Sequence, residues 1–232
     1  MRSRLILFLS CAGVLGLTII LPYRTSLVRL GLIALWILAG VSLVNFLWRR
    51  KVWRTLLLLV MALSSALVLL PGRNRTDTAR LRQRFVHQLE TYDGVWYVYG
   101  GENHRGIDCS GLVRAAMVRA LFDEGVSSAD PALLRAAFTL WWRDTNAIQL
   151  GKGGKGLTLP IGDGLPIPMR GALNLRPGDL AVTTSGSHVL ACLADHRWIE
   201  ADPDVGGVHI VDLNTSPIAG QEVLLVTWCW LR

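Results

Sequence analysis

The first 71 residues contain eight lysine or arginine residues and no aspartate or glutamate, and three apolar stretches fill most of them. The stretches cover about residues 5–21, 27–48 and 52–70. A helix needs about 20 apolar residues to cross the hydrocarbon core of a bilayer, and the second and third stretches are that long. We therefore expect residues 1–71 to form transmembrane helices, which makes the lipid bilayer a partner of this protein.

The first of these stretches is open to more than one interpretation. Arg2 and Arg4, followed by a short apolar run, resemble a signal peptide. Phe8-Leu9-Ser10-Cys11 loosely resembles a lipoprotein cleavage site, but the apolar run continues well beyond Cys11, whereas a lipidation site should end it. We favour an uncleaved membrane span that ends at Pro22.

The distribution of charge bears on both orientation and partners. The net charge of +7 arises in the first third, because residues 72–232 hold 16 basic and 17 acidic residues. A nucleic-acid-binding protein is expected to carry a basic surface on its folded domain, so we expect no nucleic-acid partner. With three spans and the N-terminus inside, six basic residues lie on the inside face and seven on the outside face. The positive-inside rule therefore does not decide the orientation. The compact basic cluster at 49–54 favours a cytoplasmic turn, and hence a multi-pass inner-membrane protein with a periplasmic C-terminal domain.

The rest of the chain has the pattern of a basic juxtamembrane linker, residues 72–84, followed by a folded domain, residues 85–232. Apolar spacing predicts helices at 79–91, from Cys109 to about Gly125, and at 129–142. Short apolar runs then predict four or five antiparallel strands, at 180–183, 187–194, 197–201, 208–211 and 222–230. Helices followed by a sheet indicate an α+β fold, with the helix that begins at Cys109 packed on an antiparallel sheet of about five strands.

A Gly/Pro-rich segment separates the helices from the strands. Residues 151–168 are expected to form a long loop, which is a candidate lid or substrate rim. Residues 151–156 satisfy the pattern G-x-G-x-x-G, but no strand precedes them and no helix follows, so we do not interpret them as a nucleotide site. Trp141 and Trp142 lie nearby and are expected mainly to pack, with a substrate-binding rim as the alternative.

Cys109 differs from the other three cysteines because it lies outside an apolar run. Cys11 falls in the membrane region, while Cys192 and Cys229 fall in apolar strands, where free cysteine usually packs as a small hydrophobic residue. A Cys192–Cys229 disulfide is the alternative if the domain is exported. Cys109 stands at a predicted helix start, where unpaired amides and the helix dipole favour a thiolate and can also bind an oxyanion.

A nucleophilic cysteine usually needs a base, and His188 is the best placed of the five histidines. It stands at the start of an apolar strand, and Glu200 follows twelve residues later, beyond a tight turn. Side chains alternate along a strand, so this even separation puts the two residues on one face, opposite or diagonal to each other. Glu200 has apolar neighbours, and pairing with His188 would both satisfy its carboxylate and orient the imidazole. The alternatives are an ordinary strand histidine and a solvated glutamate.

Four sequence blocks resemble the NlpC family of papain-like cysteine peptidases, which are bacterial cell-wall endopeptidases. A Tyr-x-aromatic-Gly-Gly block begins at Tyr97, twelve residues before the cysteine of Ile107-Asp-Cys-Ser-Gly-Leu-Val113. Leu175-Arg-Pro-Gly-Asp-Leu180 resembles the family's Pro-Gly-Asp block, and Ser187-His-Val189 resembles its histidine block. Trp198-Ile-Glu-Ala201 sits where the third polar residue is expected. The resemblance covers about residues 80–230 and does not extend to the membrane region.

The resemblance implies roles for six residues. Cys109 would be the nucleophile, His188 the base and Glu200 the orienting residue. Tyr97 would support the oxyanion or substrate, with Asp108 and Ser110 as substrate-side neighbours and Asp108 also as helix cap. The implied activity is hydrolysis of amide bonds in peptidoglycan stem peptides. No metal-binding cluster or cofactor motif is visible, so we expect neither a metal nor a cofactor.

The sequence departs from the family pattern at three places. Many members carry histidine where Glu200 stands, Trp96 replaces a usual proline, and the insertion at about 123–170 is longer than expected. These departures leave two alternatives to a peptidoglycan peptidase: a thiol amidase or acyltransferase that acts on a lipid or protein, and a membrane binding module with a retired site.

Overall fold

The computed structural model describes residues 9–10, 12–14, 16, 21–22, 25–48, 51–72, 77–166, 175–194, 196–212 and 220–232. Most of the first apolar stretch, with Arg2, Arg4 and Cys11, lies outside these residues, and so do the basic residues Arg49 and Arg50.

Two apolar helices at the N-terminal side contact each other, and this pair is called the helical hairpin. Helix α1 covers Ser26–Leu47, and helix α2 covers Lys51–Leu69. The Thr25 side chain accepts a hydrogen bond from the Val28 amide and so caps α1. Within the described part of the chain, Ser26–Phe46 is the one helix long and apolar enough to cross a membrane. A second and a third span therefore stay predictions.

Four further helices form one layer of the folded domain: α3 (Thr78–Glu90), α4 (Cys109–Ser127), α5 (Pro131–Trp142) and α6 (Ala147–Gly151). Each starts at a polar residue whose side chain accepts a backbone hydrogen bond, and these residues are Asp77, Asp108, Asp130 and Asn146. Because Asp77 caps α3, this helix begins inside the stretch that the sequence suggested as a linker. Helix α4 continues past Gly125, which packs against Leu134 of α5 instead of ending the helix.

Two arginines of α3 hold this helix against the rest of the folded domain. Arg82 donates hydrogen bonds to the carbonyl oxygens of Pro177 and Leu231, at 2.6 and 2.8 Å, and pairs with Asp179 at 3.1 Å. Arg84 pairs with the buried Glu124 at 2.6 Å. These basic residues therefore fix α3 to the domain.

The second layer is an antiparallel sheet of six strands. Its strands are β3 (Thr158–Pro166), β4 (Leu180–Thr183), β5 (Val189–Ala194), β6 (Arg197–Asp202), β7 (Gly207–Asp212) and β8 (Glu222–Trp228). They are ordered β3-β8-β4-β5-β6-β7, and a separate two-stranded hairpin comprises β1 (Glu102–Asn103) and β2 (Gly106–Ile107). The predicted α+β fold, with helices before a sheet and a cysteine at a helix start, is confirmed.

The prediction of a loop over 151–168 was wrong for most of that stretch. Gly154–Gly156 forms a 3-10 turn, and β3 pairs with β8 along the edge of the sheet. The prolines and glycines of this segment led to the prediction of a loop, because both residue types weaken central strands. An edge strand such as β3 tolerates them at bulges. The register of β3 shifts twice, between Pro160 and Gly162 and between Gly162 and Leu165.

The main core lies between α4 and the inner face of the sheet. Leu112, Ala116 and Met117 of α4 are fully buried with Val189 and Ile199 of the adjacent central strands. Burial of each large apolar side chain contributes about 1.5–3 kcal/mol, so this contact holds the start of α4 firmly against β5 and β6. Cys109, Cys192 and Cys229 are free thiols in the structure, so the alternative of a Cys192–Cys229 disulfide is wrong.

Candidate active site

Cys109 is the first residue of α4, and the residues beside it hold the helix start in place. The Asp108 carboxylate accepts hydrogen bonds from the Gly111 amide at 2.6 Å, the Ser110 hydroxyl at 3.0 Å and the Gly100 amide at 2.7 Å. Asp108 therefore joins the glycine-rich loop to the helix, in addition to capping it. The Cys109 side chain is nearly buried, and its sulfur lies 4.0 Å from the Ser187 carbonyl oxygen.

The glycines around Cys109 permit a close approach of the backbone. A Cβ atom at Gly111 would overlap the carbonyl oxygen of Gly101. The loop that contains Gly100 and Gly101 thus packs directly on the first turn of α4, which a larger side chain would prevent. This contact fixes the position of Cys109 relative to the loop.

His188 and Glu200 are diagonal neighbours on one face of the sheet, as their spacing predicts. Leu190 pairs with Glu200 across β5 and β6, and His188 precedes Leu190 by two residues. The distance from His188 Nε2 to Glu200 Oε2 is 2.7 Å, and Glu200 is only 2% exposed. Pairing with His188 thus offsets the cost of burying the Glu200 carboxylate.

The position of His188 also depends on hydroxyl groups that precede it. Thr183 Oγ1 accepts a hydrogen bond from the His188 amide at 3.1 Å, and the Thr183 amide donates to the His188 carbonyl at 3.1 Å. Ser185 and Ser187 share a hydrogen bond of 2.8 Å in the same turn. These contacts fix the backbone from which the imidazole projects toward Cys109.

Electrostatics favour a protonated His188. Burial lowers the pKa of His188, but hydrogen bonds to the Cys109 and Glu200 side chains, together with the negative charges of both, outweigh burial and raise that pKa to about 9. At neutral pH, the imidazole of His188 is therefore protonated and positively charged, with Cys109 and Glu200 as its neighbours.

Cys109 opens into a cavity of about 630 Å³. Tyr97, Asp108 and Ser110 line the same cavity, so the structure brings these predicted site residues together with Cys109, whereas His188 and Glu200 are not among its lining residues. Burial, followed by the negative charges of Cys109 and Asp108, raises the pKa of Tyr97 to about 12. The Tyr97 hydroxyl therefore keeps its proton and is available as a hydrogen-bond donor.

Several residues of the site were missed in the sequence. His209 of β7 lies beside Glu200, with Nε2 3.5 Å from Glu200 Oε1, so the carboxylate faces two histidines. Glu102 and Arg114 form a 2.6 Å ion pair in the cavity wall. His209 sits directly across from Glu200 in the β6–β7 register, but that register depends on strand pairing that no local pattern revealed.

One group of side chains has the donor types of a metal site. Ligand atoms of Glu200, Asp202 and His209 all lie within 4.8 Å of one another. Glu200 already contacts both histidines, and His188 would compete with an ion for its carboxylate. The arrangement therefore fits a hydrogen-bonded histidine better than a metal centre.

The predicted rim residues Trp141 and Trp142 lie elsewhere. Trp141 lines a second, larger cavity of about 980 Å³ between α4 and α5, and neither tryptophan is among the residues lining the Cys109 cavity. Trp142 is 40% exposed, so packing, the interpretation that we favoured for this pair, stays a prediction.

No protein-family model matches the chain, and no curated protein sequence matches it. The solved structures similar to this chain are NlpC/P60 domains. NlpC2 from Trichomonas vaginalis is 19% identical with a TM-score of 0.43, and the match covers 68% of this chain and 49% of that one. The peptidoglycan hydrolase RipB from Mycobacterium tuberculosis is 18% identical with a TM-score of 0.42, and the match covers 69% of each chain.

A third structure is a separate P60 domain. It comes from the antigen MAP1204 of M. avium subspecies paratuberculosis and is 18% identical, with a TM-score of 0.41. The match covers 66% of this chain and 97% of that domain. By contrast, this chain spans about half the length of the two Trichomonas proteins, 49% and 46%.

Proposed function

We propose that this protein is a membrane-anchored cysteine peptidase that hydrolyses amide bonds in peptidoglycan stem peptides. The observation that carries the proposal is the 2.7 Å contact between His188 and the buried Glu200, with Cys109, at a helix start, close enough to His188 to raise its pKa. These three side chains have the types and the order of contacts of a nucleophile, a base and an orienting group. The four sequence blocks supply the substrate class.

The reaction begins with attack of the Cys109 thiolate on the carbonyl carbon of the scissile amide. The negative charge that develops on the carbonyl oxygen is stabilised by amides at the start of α4 and by the Tyr97 hydroxyl. Protonated His188 gives its proton to the leaving amine, and the C–N bond breaks to leave a thioacyl-enzyme. His188, now neutral, removes a proton from water, which attacks the thioester and releases the acid and Cys109. Glu200 keeps the imidazole oriented and stabilises its positive form throughout.

The cavity beside Cys109 suits a charged peptide. Its wall contains Glu102, Asp108, Arg114 and Asp144, together with the amide side chains of Asn146 and Gln149. Acidic and basic groups in one cavity offer partners for both amino and carboxylate groups of a substrate. Peptidoglycan stem peptides carry both kinds of group close to their amide bonds.

The placement of the helical hairpin supports an exported domain. Contacts with the folded domain come from both open ends of the hairpin: Arg29 of α1 reaches Glu102, and the Leu70 carbonyl accepts a hydrogen bond from Arg135. Helix α1 has 22 residues, so its far end lies about 33 Å away, and the basic residues Lys51 and Arg54 follow that end at the start of α2. If the hairpin spans the bilayer, the positive-inside rule assigns that end to the cytoplasm and the domain to the periplasm.

One observation favours the lipid-directed amidase as a second candidate. The larger cavity beside α5 is lined mainly by apolar side chains, among them Phe122, Phe138 and Trp141, and α2 packs against α5. An apolar cavity close to apolar helices suits an acyl chain. This candidate predicts cleavage of long-chain acyl amides and no cleavage of peptidoglycan fragments.

The decisive experiment incubates the purified full-length protein with muropeptides and separately with a long-chain acyl amide. Product formation from muropeptides by the wild type, and its loss in Cys109→Ala, is expected. Cys192→Ala is the matched control, because Cys192 is a buried free thiol in β5 and does not line the Cys109 cavity. Equal turnover by wild type and Cys109→Ala would overturn the assignment of the nucleophile, and turnover of the acyl amide alone would overturn the substrate class.

Orientation is tested separately with an impermeant maleimide on intact spheroplasts. Val205→Cys places a thiol on an exposed turn of the folded domain, and Trp48→Cys places one at the hairpin turn. The proposal predicts labelling of Val205→Cys before lysis, with Trp48→Cys labelled only after lysis, each relative to the parent chain. The reverse pattern would make the folded domain cytoplasmic.

A further inference from the structure

Arg29 occupies an unusual environment for a basic residue in an apolar helix. It belongs to the first turn of α1, and its side chain is completely buried. Its guanidinium pairs with Glu102 at 2.8 Å and donates to the Trp142 carbonyl oxygen at 3.2 Å. An arginine near the end of an apolar helix usually reaches the lipid headgroups, but the Arg29 side chain instead points into the folded domain.

The partner of Arg29 belongs to the Cys109 cavity. Glu102 and Arg114 both line that cavity, and a single Glu102 oxygen, Oε1, contacts Arg114 at 2.6 Å as well as Arg29. Arg114 also lies 3.4 Å from Asp144, another lining residue. Arg29 therefore supports the charged wall of the cavity from outside the folded domain.

The residues before α1 contact the same wall. The Glu102 amide donates to the Pro22 carbonyl at 3.1 Å, and the Asn103 side chain donates to the Leu21 carbonyl at 2.8 Å. Thr25, the cap of α1, itself lines the cavity. Residues 21–22 and 25–29 thus supply backbone contacts, a buried ion pair and a side chain that lines the cavity.

We propose that residues 21–22 and 25–29, at the start of the apolar helix, form one wall of the Cys109 cleft, with Arg29 as the positioning residue for Glu102. The proposal deepens the proposed function: the anchor both attaches the enzyme and completes its substrate cleft. A substrate must then bind between the sheet-bearing domain and the end of a membrane helix, so we infer that this site acts on peptides close to the membrane surface.

The first test measures access to Cys109 and needs no hydrolytic activity. Thr25→Tyr enlarges a lining side chain, and Ser26→Tyr makes the same change at an exposed neighbour that does not line the cavity. We expect Thr25→Tyr to slow labelling of Cys109 by a bulky maleimide about tenfold, as followed by peptide mass spectrometry on the full chain. Ser26→Tyr should stay within about twofold of the wild type. Equal labelling rates in all three proteins would overturn the proposal even if the enzyme is a peptidase.

The second test rests on the peptidase activity and separates positioning from folding. Arg29→Met should raise KM for muropeptides about tenfold and change kcat less than about threefold, and Arg29→Lys should recover part of the loss. Arg54→Met is the matched control, because Arg54 lies in α2 and stacks 5.2 Å from the Trp48 ring, away from the cleft. An Arg29→Met protein that keeps the wild-type KM would overturn the role of Arg29.

The two tests separate the failure of this inference from that of the proposed function. If muropeptides are not cleaved by any variant, the proposed function fails, whereas the labelling comparison still decides whether residues 21–22 and 25–29 form the wall. In the Arg29 variants, alkylation of Cys109 by the small reagent iodoacetamide should stay within about twofold of the wild type. A tenfold loss of that reactivity would show damage to the Cys109–His188 pair and would contradict a positioning role confined to the cavity wall.

Discussion

His188 Nε2 lies 2.7 Å from Glu200 Oε2, and the two residues occupy diagonal positions across β5 and β6. The geometry places a buried carboxylate directly against the imidazole of His188. A carboxylate holds the imidazole in one orientation and also favours its protonated form. The pair therefore determines the pH range in which the proposed reaction can run.

The activity should fall on the alkaline side near pH 9. Leaving-group protonation needs the imidazolium form, and the pKa of His188 is raised to about 9. Above that pH His188 loses its proton, so kcat/KM should decrease about tenfold per pH unit. A pH profile of muropeptide hydrolysis from about pH 6 to 10 checks this. A profile that declines already below pH 8 would contradict the ion pair.

Glu200→Gln should lower kcat/KM by about 10⁴, the loss that follows when the orienting carboxylate of a catalytic triad is made neutral. The substitution removes a negative charge and an acceptor that both raise the pKa of His188, so the alkaline limb should also move to lower pH. Glu124→Gln is the matched control, because it neutralises another buried glutamate in an ion pair, on the α3–α4 contact. An unshifted limb in Glu200→Gln would remove Glu200 from the proposed triad.

His209→Gln should have a smaller effect. His209 Nε2 is 3.5 Å from Glu200 Oε1, which is longer than a well-formed hydrogen bond, so the contact contributes at most about 1 kcal/mol, which corresponds to about a fivefold change in rate. The His188 contact on the other carboxylate oxygen is retained in this variant. Measured kcat/KM values for His209→Gln and Glu200→Gln should therefore differ by at least tenfold. Equal losses would mean that His209 is as important as the His188–Glu200 contact.

Gly111→Ala should destabilise the folded domain. The added methyl group would overlap the Gly101 carbonyl oxygen, and overpacking of this kind costs about 1–3 kcal/mol. Thermal unfolding of the full chain in detergent should show a lower Tm. Gly40→Ala is the control, because Gly40 is also helical and a methyl group added there would meet no neighbouring atom of the described residues within 4 Å. Equal Tm values for both variants would contradict the close approach of loop and helix.

The local parts of the site were predictable from the sequence. Asp108 as cap, Cys109 at the helix start and the facing of His188 and Glu200 depend on short-range rules: capping preference and the alternation of side chains along a strand. Each of these rules operates over a dozen residues or fewer. The α+β order of the domain follows from periodicity in the same way.

Other parts depend on contacts that no local pattern contains. β3 was missed because its prolines and glycines have the composition of a loop, and its pairing with β8 is an edge contact with two register shifts. The pairing of Arg29 with Glu102 joins residues 73 positions apart. An arginine near the end of an apolar helix usually reaches the lipid headgroups, whereas the partner of Arg29 is the carboxylate of Glu102.

The most direct test of the central hypothesis is detection of the thioacyl-enzyme on Cys109. The full-length protein is mixed with muropeptides, quenched in acid within the first turnovers, digested and measured by mass spectrometry. We predict that the peptide containing Cys109 gains the mass of the acyl fragment in the wild type, and that Cys109→Ala forms neither the adduct nor product. Product formation by Cys109→Ala, or an adduct on another residue, would contradict the mechanism.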